Sequence, residues 1–401
     1  MDFEMLKNVP DVLDVWEKLV ASEPEETIIV SDTTMHRFSR KAIDIMSGKV
    51  RAWLESRSVG KDDMVLICLP RGAVAIATML GVWKAGAAFT VVENQYPQER
   101  IEFIKKDSKC KVVIDSQTAA DIRLVEYKPG HVKADIHDLA FAIYTSGSTG
   151  NPKGVLHEYG TLKMNTIGGI GQNKYTLDKT MRLAHVAPFS FVASIKIALL
   201  TFMTGMVMYV LPYDVIKNPI KLKKYFVDNE ITYAFLPPSL LRLSRGNFGP
   251  YLRVVVTGSE PAGGIEPKDT VIINTYSMSE SAFTITEFVI DKKYDICPVG
   301  KPNFDGLGLK LLDEEGREVA SGEEGEICFE NPFFRGYIGL EVETKQAKRG
   351  GIYHSGDIGR FDENGDLVLV GRTNDMVKIN GNRVEPSEIE NIVKKYLDVD
   401  Q

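Results

Sequence analysis

Eleven consecutive residues, Tyr144 to Gly154, hold four hydroxyls (Thr145, Ser146, Ser148, Thr149), three glycines (Gly147, Gly150, Gly154) and Lys153. Glycines allow positive φ and close approach of backbone to a ligand. Successive N–H groups in such a turn form an anion-binding nest, to which hydroxyls and a lysine add donors and charge. Those are the needs of a polyphosphate. The Walker pattern G-x-x-x-x-G-K-[ST] is not met, because the glycine spacing differs and Gly154 follows the lysine. The competing reading is a Ser/Gly-rich surface loop. Against it, the apolar run Leu139 to Ile143 just before reads as a buried strand.

The elements that must position such a loop can be read from hydrophobic period. Asp11 to Ala21 and the segment after the N-cap candidate Ser39 read as amphipathic helices, with Ile43, Met46, Val50, Trp53 and Leu54 at helical spacing. Met64 to Leu69 is a near-continuous apolar run, the mark of a strand covered on both faces. Helices at 73–84 and 101–107 alternate with strands at 88–92 and 111–114. That alternation predicts a parallel sheet between helices. After the loop, 161–165 reads as a helix, and a second βα series runs from Met181 to Asn274. From Phe288 on, turn pairs such as Asp305-Gly306, Glu315-Gly316, Ser321-Gly322, Glu324-Gly325 and Asn364-Gly365 predict short antiparallel strands. A final helix is predicted over 388–397. Trp16, Trp53 and Trp83 fall at core positions. The expected fold is therefore α/β: two helix-covered βα sheets (about 1–290) and a small antiparallel β region (about 291–373).

The chain has 401 residues, 44% hydrophobic and 26% charged, with net charge −7. That length suits two or three domains or subdomains. The negative balance disfavours a nucleic-acid or anionic-membrane surface, so phosphate binding must be local. Cys68, Cys110, Cys297 and Cys328 form no C-x-x-C pair and read as reduced thiols of a cytoplasmic protein. The N-terminus lacks the basic and apolar regions of a signal peptide. The most apolar stretch, Ile195 to Leu211, contains Lys196 and Gly205 and reads as a buried helix running into a strand, not a membrane span.

Further stretches raise the loop from a moderate to a strong signal. They are Trp83-Lys84-Ala85-Gly86-Ala87-Ala88-Phe89, Asn274-Thr275-Tyr276-Ser277-Met278-Ser279-Glu280, Tyr353-His354-Ser355-Gly356-Asp357, Gly371-Arg372-Thr373-Asn374-Asp375 and Lys378 to Glu385. In this order, from about Phe38 to Glu390, the set resembles the adenylate-forming superfamily of acyl-CoA synthetases, luciferases and adenylation domains of nonribosomal peptide synthetases. The wording is closest to the peptide-synthetase branch. The resemblance implies ATP- and Mg²⁺-dependent activation of a carboxylic acid to an acyl-adenylate, with release of pyrophosphate. The product would pass to a carrier-protein phosphopantetheine thiol or, alternatively, to CoA. It also implies a monomeric core with a carrier protein as partner.

Residue by residue, the resemblance assigns Thr145, Ser146, Gly147, Ser148, Thr149, Gly150 and Lys153 to the triphosphate. It assigns Gly258, Ser259, Thr275, Tyr276 and Ser279 to the nucleotide, with Tyr276 stacked on adenine. Glu280 would hold Mg²⁺. Asp357 would accept the ribose hydroxyls, and Arg372 would lie near ribose and phosphates. Taken alone, Asp357 or Arg372 reads equally well as a surface ion pair. Lys153, Glu280 and Arg372 are the catalytic candidates, because positioning and charge neutralisation dominate a reaction between two anions.

Two departures from the family pattern matter. Amino-acid-activating relatives carry an Asp where this chain has Val192, within Phe191-Val192-Ala193-Ser194. Valine cannot neutralise a buried α-ammonium, at a cost of roughly several kcal/mol. The expected substrate therefore lacks an α-amino group in the usual place: an aryl, keto or hydroxy, fatty or β-amino acid. The remaining pocket wall carried over from the family is Ala193, Lys196, Phe235, Val255, Thr257, Thr275, Phe283 and Thr284. Lys196, one turn after Val192, would either pair with a second carboxylate or polar group on the substrate or carry its ammonium out to solvent. The second departure lies at the C-terminus, where 374–401 reads as the beginning of an incomplete lid. The hinge falls at Asn374 or Asp375, and no segment matches the lid lysine, so weak acid activation is expected. A nucleotide-binding module with little or no turnover is the reading from a different class.

Overall fold

The structure is a computed structural model. It describes residues 8–31, 35–146, 151–167 and 177–372, together with the backbone of strands Val377–Ile379 and Asn382–Val384. In chain order the strands are β1 Thr27–Ser31, β2 His36–Ser39, β3 Met64–Ile67, β4 Ala88–Val91, β5 Val112–Ile114, β6 Leu139–Thr145, β7 Lys153–Glu158, β8 Arg182–His185, β9 Val207–Val210, β10 Tyr233–Phe235, β11 Val254–Gly258 and β12 Val271–Tyr276. They continue with β13 Thr286–Ile290, β14 Lys301–Pro302, β15 Lys310–Leu312, β16 Gly325–Glu330, β17 Phe334–Tyr337, β18 Lys348–Arg349, β19 Ile352–Phe361 and β20 Leu367–Arg372.

The two expected βα series form two sheets. One has six strands in the order β17-β7-β6-β4-β3-β5, with β5, β3, β4 and β6 parallel. The other has nine, β14-β13-β12-β11-β10-β8-β9-β1-β2, parallel from β12 to β1. The late strands β15, β16, β18, β19 and β20 make a third, wholly antiparallel sheet. Central strands are buried along their length, β3, β4 and β6 without exception. That explains their unbroken apolar runs, since helices cover both faces of a parallel sheet.

The helix from Arg40 to Glu55 begins where Ser39 accepts a hydrogen bond from the Ala42 N–H at 3.2 Å. It packs against the helix Ala73–Lys84, and Trp16, Trp53 and Trp83 are all buried. Lys84 is fully buried as well, 2.5 Å from Asp44, whose carboxylate also accepts from the Trp16 indole and the Tyr127 hydroxyl. Such a buried charge is tolerable only because it is paired and hydrogen-bonded.

Several local readings change. His36 to Ser39 does not simply lead into a helix; it is β2, antiparallel to β1. The segment after the glycine-rich loop does not pass straight to a helix. It first forms β7, buried except at the half-buried Lys153 and Leu156, which pairs with β6 and precedes the helix Gly160–Asn165. Asp115 caps a short helix, Ser116–Ile122, that the hydrophobic period did not indicate. Glu324-Gly325 opens β16 instead of making a turn. The predicted helix at 388–397 lies outside the described residues. Order along the chain is not sheet membership either: β1 and β2 join the second sheet, and β17 returns to the first. The stretch Ile195 to Leu211 divides into the helix Val192–Thr204 and β9. Among the described residues no helix is long and apolar enough to cross a membrane.

Candidate functional site

Strand β6 delivers Thr145 and Ser146, both buried, to its C-terminal end. Thr145 pairs across the hairpin with Lys153, the first residue of β7. Gly147, Ser148, Thr149 and Gly150, between them, lie outside the described residues. The Thr145 Oγ1 is enclosed yet has no hydrogen-bond partner among the described residues, a costly arrangement that a bound acceptor would relieve. Gly154 is required sterically: a Cβ there would fall 2.6 Å from the Ile338 side chain and 2.9 Å from the Tyr144 ring.

Lys153 crosses to the second sheet. Its Nζ lies 3.6 Å from Glu280 Oε1 and 4.0 Å from the centroid of the Tyr337 ring. Glu280 is buried, and the Tyr337 hydroxyl lies 3.1 Å from the same carboxylate oxygen and 3.2 Å from the Tyr353 hydroxyl. The loop carrying Glu280 is held through its backbone. Asn331 Nδ2 donates to the Glu280 carbonyl at 2.7 Å, and His157 Nε2 donates to the Ser279 carbonyl at 2.8 Å. Burial pushes the His157 imidazole down to about 4. It is therefore neutral near pH 7, and a carbonyl partner places its single proton on Nε2. Its ring stacks on Phe141 of β6 with centroids 4.8 Å apart.

The third sheet supplies the remaining pair. Asp357 on β19 and Arg372 on β20 are cross-strand partners, with Arg372 Nη1 at 3.0 Å from Asp357 Oδ1. Arg372 Nη2 also reaches the Ser355 carbonyl at 3.3 Å, and the Asp357 N–H donates to Ser355 Oγ. The Tyr276 hydroxyl donates to Asp357 Oδ2 at 2.5 Å. Burial and the neighbouring Asp357 carboxylate raise the Tyr276 phenol well above its ordinary range, so it remains a donor. The expected adenine-stacking face of Tyr276 is not open: only 3% of the residue is exposed, and it packs in the aromatic cluster with Phe283 and Tyr353. Two used lone pairs leave about two on the Asp357 carboxylate for further donors. Gly258, at the end of β11, lies against Thr275, where a Cβ would sit 2.4 Å from the Thr275 carbonyl oxygen. Ser259 follows with φ +69°.

Beside this charged region lies a cavity of about 110 Å³. Of the expected pocket wall, Ala193, Lys196, Phe235, Thr275 and Thr284 line it. Five others do not. Phe191 precedes the helix Val192–Thr204, and Val192 is buried in the main core. Val255 packs in a separate core cluster on the other side of the second sheet, and Thr257 turns its hydroxyl to the Leu236 carbonyl at 2.7 Å. Phe283 packs against Phe304 and Phe329. The strand residue facing the cavity is Val256, with Ile273 beside it. Strand parity explains the correction: Phe235, Val256 and Ile273 are register partners on β10, β11 and β12, so their side chains share one face. Lys196 does not carry its ammonium to outside solvent. It lines the cavity, half-buried, and Nζ donates to Thr284 Oγ1 at 3.1 Å.

Sequence reading missed His157, Asn331 and Tyr337, which hold the Glu280 loop from β7 and from the ends of β16 and β17. It also missed Arg71. That guanidinium donates to the Leu211 and Ala187 carbonyls at 2.7 and 2.6 Å and also reaches His185. His185 Nε2 in turn lies 2.8 Å from Ser194 Oγ, on the helix that carries Lys196. Each contact joins residues more than a hundred positions apart or crosses between sheets, except His185 to Ser194. Only an antiparallel partner for β6 would have hinted at His157.

A family model described as AMP-binding enzyme matches residues 16–338. Bacitracin synthase 1 of Bacillus licheniformis is 29% identical over 411 aligned residues, covering 96% of this chain but 8% of that protein. The chain spans less than two thirds of such relatives. Among solved structures, NpsA-ThdA, an artificially fused adenylation–PCP di-domain from Klebsiella oxytoca, superposes with TM-score 0.85 at 20% identity, covering 98% of this chain and 85% of that one. The anthranilate CoA ligase AuaEII, in complex with anthranoyl-AMP, gives TM-score 0.83 at 18% identity over 100% of this chain and 85% of the other. Those two likenesses establish the shared fold. The family match over most of the chain establishes descent: the chain belongs to the AMP-binding enzyme family, within the adenylate-forming superfamily and on its peptide-synthetase-like side.

Proposed function

We propose that this chain activates a carboxylic acid with ATP, giving an acyl-adenylate and pyrophosphate, for transfer to a carrier-protein phosphopantetheine thiol. The observation that carries this reading is the meeting of Lys153 and Glu280, from different sheets, 3.6 Å apart beside the Thr145 hydroxyl, which has no partner among the described residues. A cation, a carboxylate able to ligate Mg²⁺ and an idle donor fit a magnesium-bound polyphosphate. In the step, a carboxylate oxygen of the acid bonds to the α-phosphorus while the bond to the bridging oxygen of pyrophosphate breaks. Bound Mg²⁺ would supply charge neutralisation on the phosphate oxygens.

In this reading Lys153, Thr145 and Ser146 hold phosphate oxygens, with Gly147, Ser148, Thr149 and Gly150 completing the loop. Glu280 ligates the metal, and Tyr337 and the clamped backbone fix its carboxylate. Asp357 accepts from the ribose, and Tyr276 and Arg372 orient that carboxylate. Gly258, Ser259, Thr275 and Ser279 border the nucleotide. Lys153 and Arg372 counter the charge that accumulates as two anions meet, which is electrostatic preorganisation. The acid occupies the cavity behind Thr275. Val192 offers no countercharge to an α-ammonium, so the acid lacks an α-amino group in the usual place. The core spans 1–373, and a smaller lid subdomain begins at 374.

Exchange of labelled pyrophosphate into ATP across a panel of acids tests the reading. Acid-dependent exchange in the wild type, lost in Glu280→Gln, supports it. Retention of full exchange by that variant refutes the assigned metal ligand. The anthranilate CoA ligase with the same fold supports CoA as the second reading of the acceptor. Presenting trapped acyl-adenylate to CoA and to a carrier protein separates the two.

A further inference from the structure

The cavity's charge pattern narrows the acid. Its walls are largely apolar: Ile197, Leu200, Phe235, Val256 and Ile273. Into this surface one cation projects. Lys196 Nζ has the Thr284 hydroxyl at 3.1 Å, and among the described residues no carboxylate lies within ion-pair distance of it. The carboxylate in the lining, Glu287 on β13, makes no ion pair with it, and the other titratable group there is Tyr233. Desolvation alone pushes the Lys196 ammonium down to about 7, with no charged neighbour contributing.

An ammonium facing an apolar cavity without a countercharge is an unfavourable arrangement, and anything that supplies the charge is correspondingly favoured. Lys84, buried in the same chain, shows the ordinary solution, a carboxylate at 2.5 Å. At Lys196 no carboxylate of the described residues comes within ion-pair distance. Thr275 lines the same cavity and is followed directly on β12 by Tyr276, whose carbonyl accepts from the Ile285 N–H next to Thr284. An occupant with its reacting carboxylate toward Thr275 can bring a second acidic group to Lys196 and Thr284. A volume of about 110 Å³ suits a short acyl chain better than a long one.

We propose that the acid is a short dicarboxylate, whose second carboxylate pairs with Lys196 and Thr284 while the first is presented to the nucleotide. This inference rests on the acid-activation reading of the cavity. Lys196 acts as a specificity determinant, and Ile197, Leu200, Phe235, Val256 and Ile273 offer apolar surface to the acid's carbon chain.

The test compares chain-matched pairs, pentanedioate with pentanoate and 2-oxopentanedioate with 2-oxopentanoate, on the full chain and on Lys196→Met. Equilibrium binding, measured by calorimetry at pH 6.5, and pyrophosphate exchange are read separately. The wild type should prefer the diacid of at least one pair by tenfold or more, and Lys196→Met should erase or invert that preference. The diacid advantage should also shrink as pH rises above 7, where Lys196 loses its proton. Monoacids bound as tightly as diacids, or a preference unchanged in Lys196→Met, overturn the inference. Exchange supported by monoacids alone overturns it while leaving acid activation intact. Diacid binding that depends on Lys196 but supports no exchange upholds the subsite and overturns acid activation.

Discussion

Two lysines, Lys153 and Lys196, divide the site into regions built on opposite rules. Lys153 enters a region where charges come in held pairs: Lys153 with Glu280, Arg372 with Asp357. Strands from all three sheets contribute, and aromatic hydroxyls from Tyr276 and Tyr337 close onto the two carboxylates. Lys196 enters a cavity of aliphatic and aromatic walls with a threonine hydroxyl as its hydrogen-bond acceptor. The first region is preorganised for a ligand of fixed chemistry. The second, on the inference above, leaves one charge for the ligand to complete and so carries the choice of acid. On the proposed reading, general catalysis and individual specificity occupy separate surfaces that meet at Thr275 and Tyr276.

The largest expected effect lies in the paired region. Glu280→Gln keeps the shape and hydrogen-bonding reach of the side chain but removes its charge, so pyrophosphate exchange should fall by about 10²–10³-fold, the usual scale for one preorganised electrostatic group. Folding should change little by circular dichroism. A loss below fivefold would dissolve the contrast, because Glu280 would then be merely a structural partner of Lys153. His157 offers a finer probe, since it acts through the backbone. His157→Leu removes the donor to the Ser279 carbonyl, worth about 1 kcal/mol, and should lower kcat by about tenfold while leaving the acid's KM nearly unchanged. The neutral donor His157→Gln should recover part of that loss. A KM effect confined to the acid would show that His157 serves the cavity instead.

The two regions were also unequally legible. The residues proposed to hold phosphate and ribose come in compact runs, Thr145 to Gly154 and Tyr353 to Asp357, as expected where backbone turns must approach a ligand of fixed shape. Short-range patterning also indicated the central strands, the Ser39 cap and the turns at Gly306, Gly316, Gly322 and Gly365, all with positive φ. The cavity wall was harder. Its members are single residues on separate elements, chosen by register between β10, β11 and β12, and a one-residue step in parity exchanges Val256 for Val255. No local pattern carries that information. The hairpin from β6 to β7 was missed for a related reason: Lys153 and Glu158 at its ends read as loop until the buried partner strand is known.

Parity supplies the next test. Val256→Ala enlarges the cavity by two carbons and should shift the preferred acid toward longer chains by a few-fold in kcat/KM. Val255→Ala removes the same two carbons from the opposite core and should cost roughly 1–3 kcal/mol of stability, with acid preference unaltered. If Val255→Ala moves specificity and Val256→Ala does not, the register that defines the cavity is wrong.

The smallest effect is a pH slope that belongs to Lys196 alone. Burial lowers its folded-state value to about 7 from an ordinary value near 10.5. Between those limits the unfolded chain holds a proton that the folded chain has released, so stability rises with pH there. Below about 7 both states are protonated, and the folded state bears the full cost of the desolvated ammonium. Lys196→Met should therefore be stabilised relative to the wild type most strongly at pH 6, and the gap should narrow steadily toward pH 10 in urea titrations. Lys84→Met should show no such relief at low pH, because Asp44 would lose its partner. A saturating diacid should flatten the wild-type slope, since a carboxylate beside Lys196 restores the proton that burial removes. A slope that persists unchanged with the diacid bound would place the ligand's second charge elsewhere, and the two regions would no longer divide the work between them.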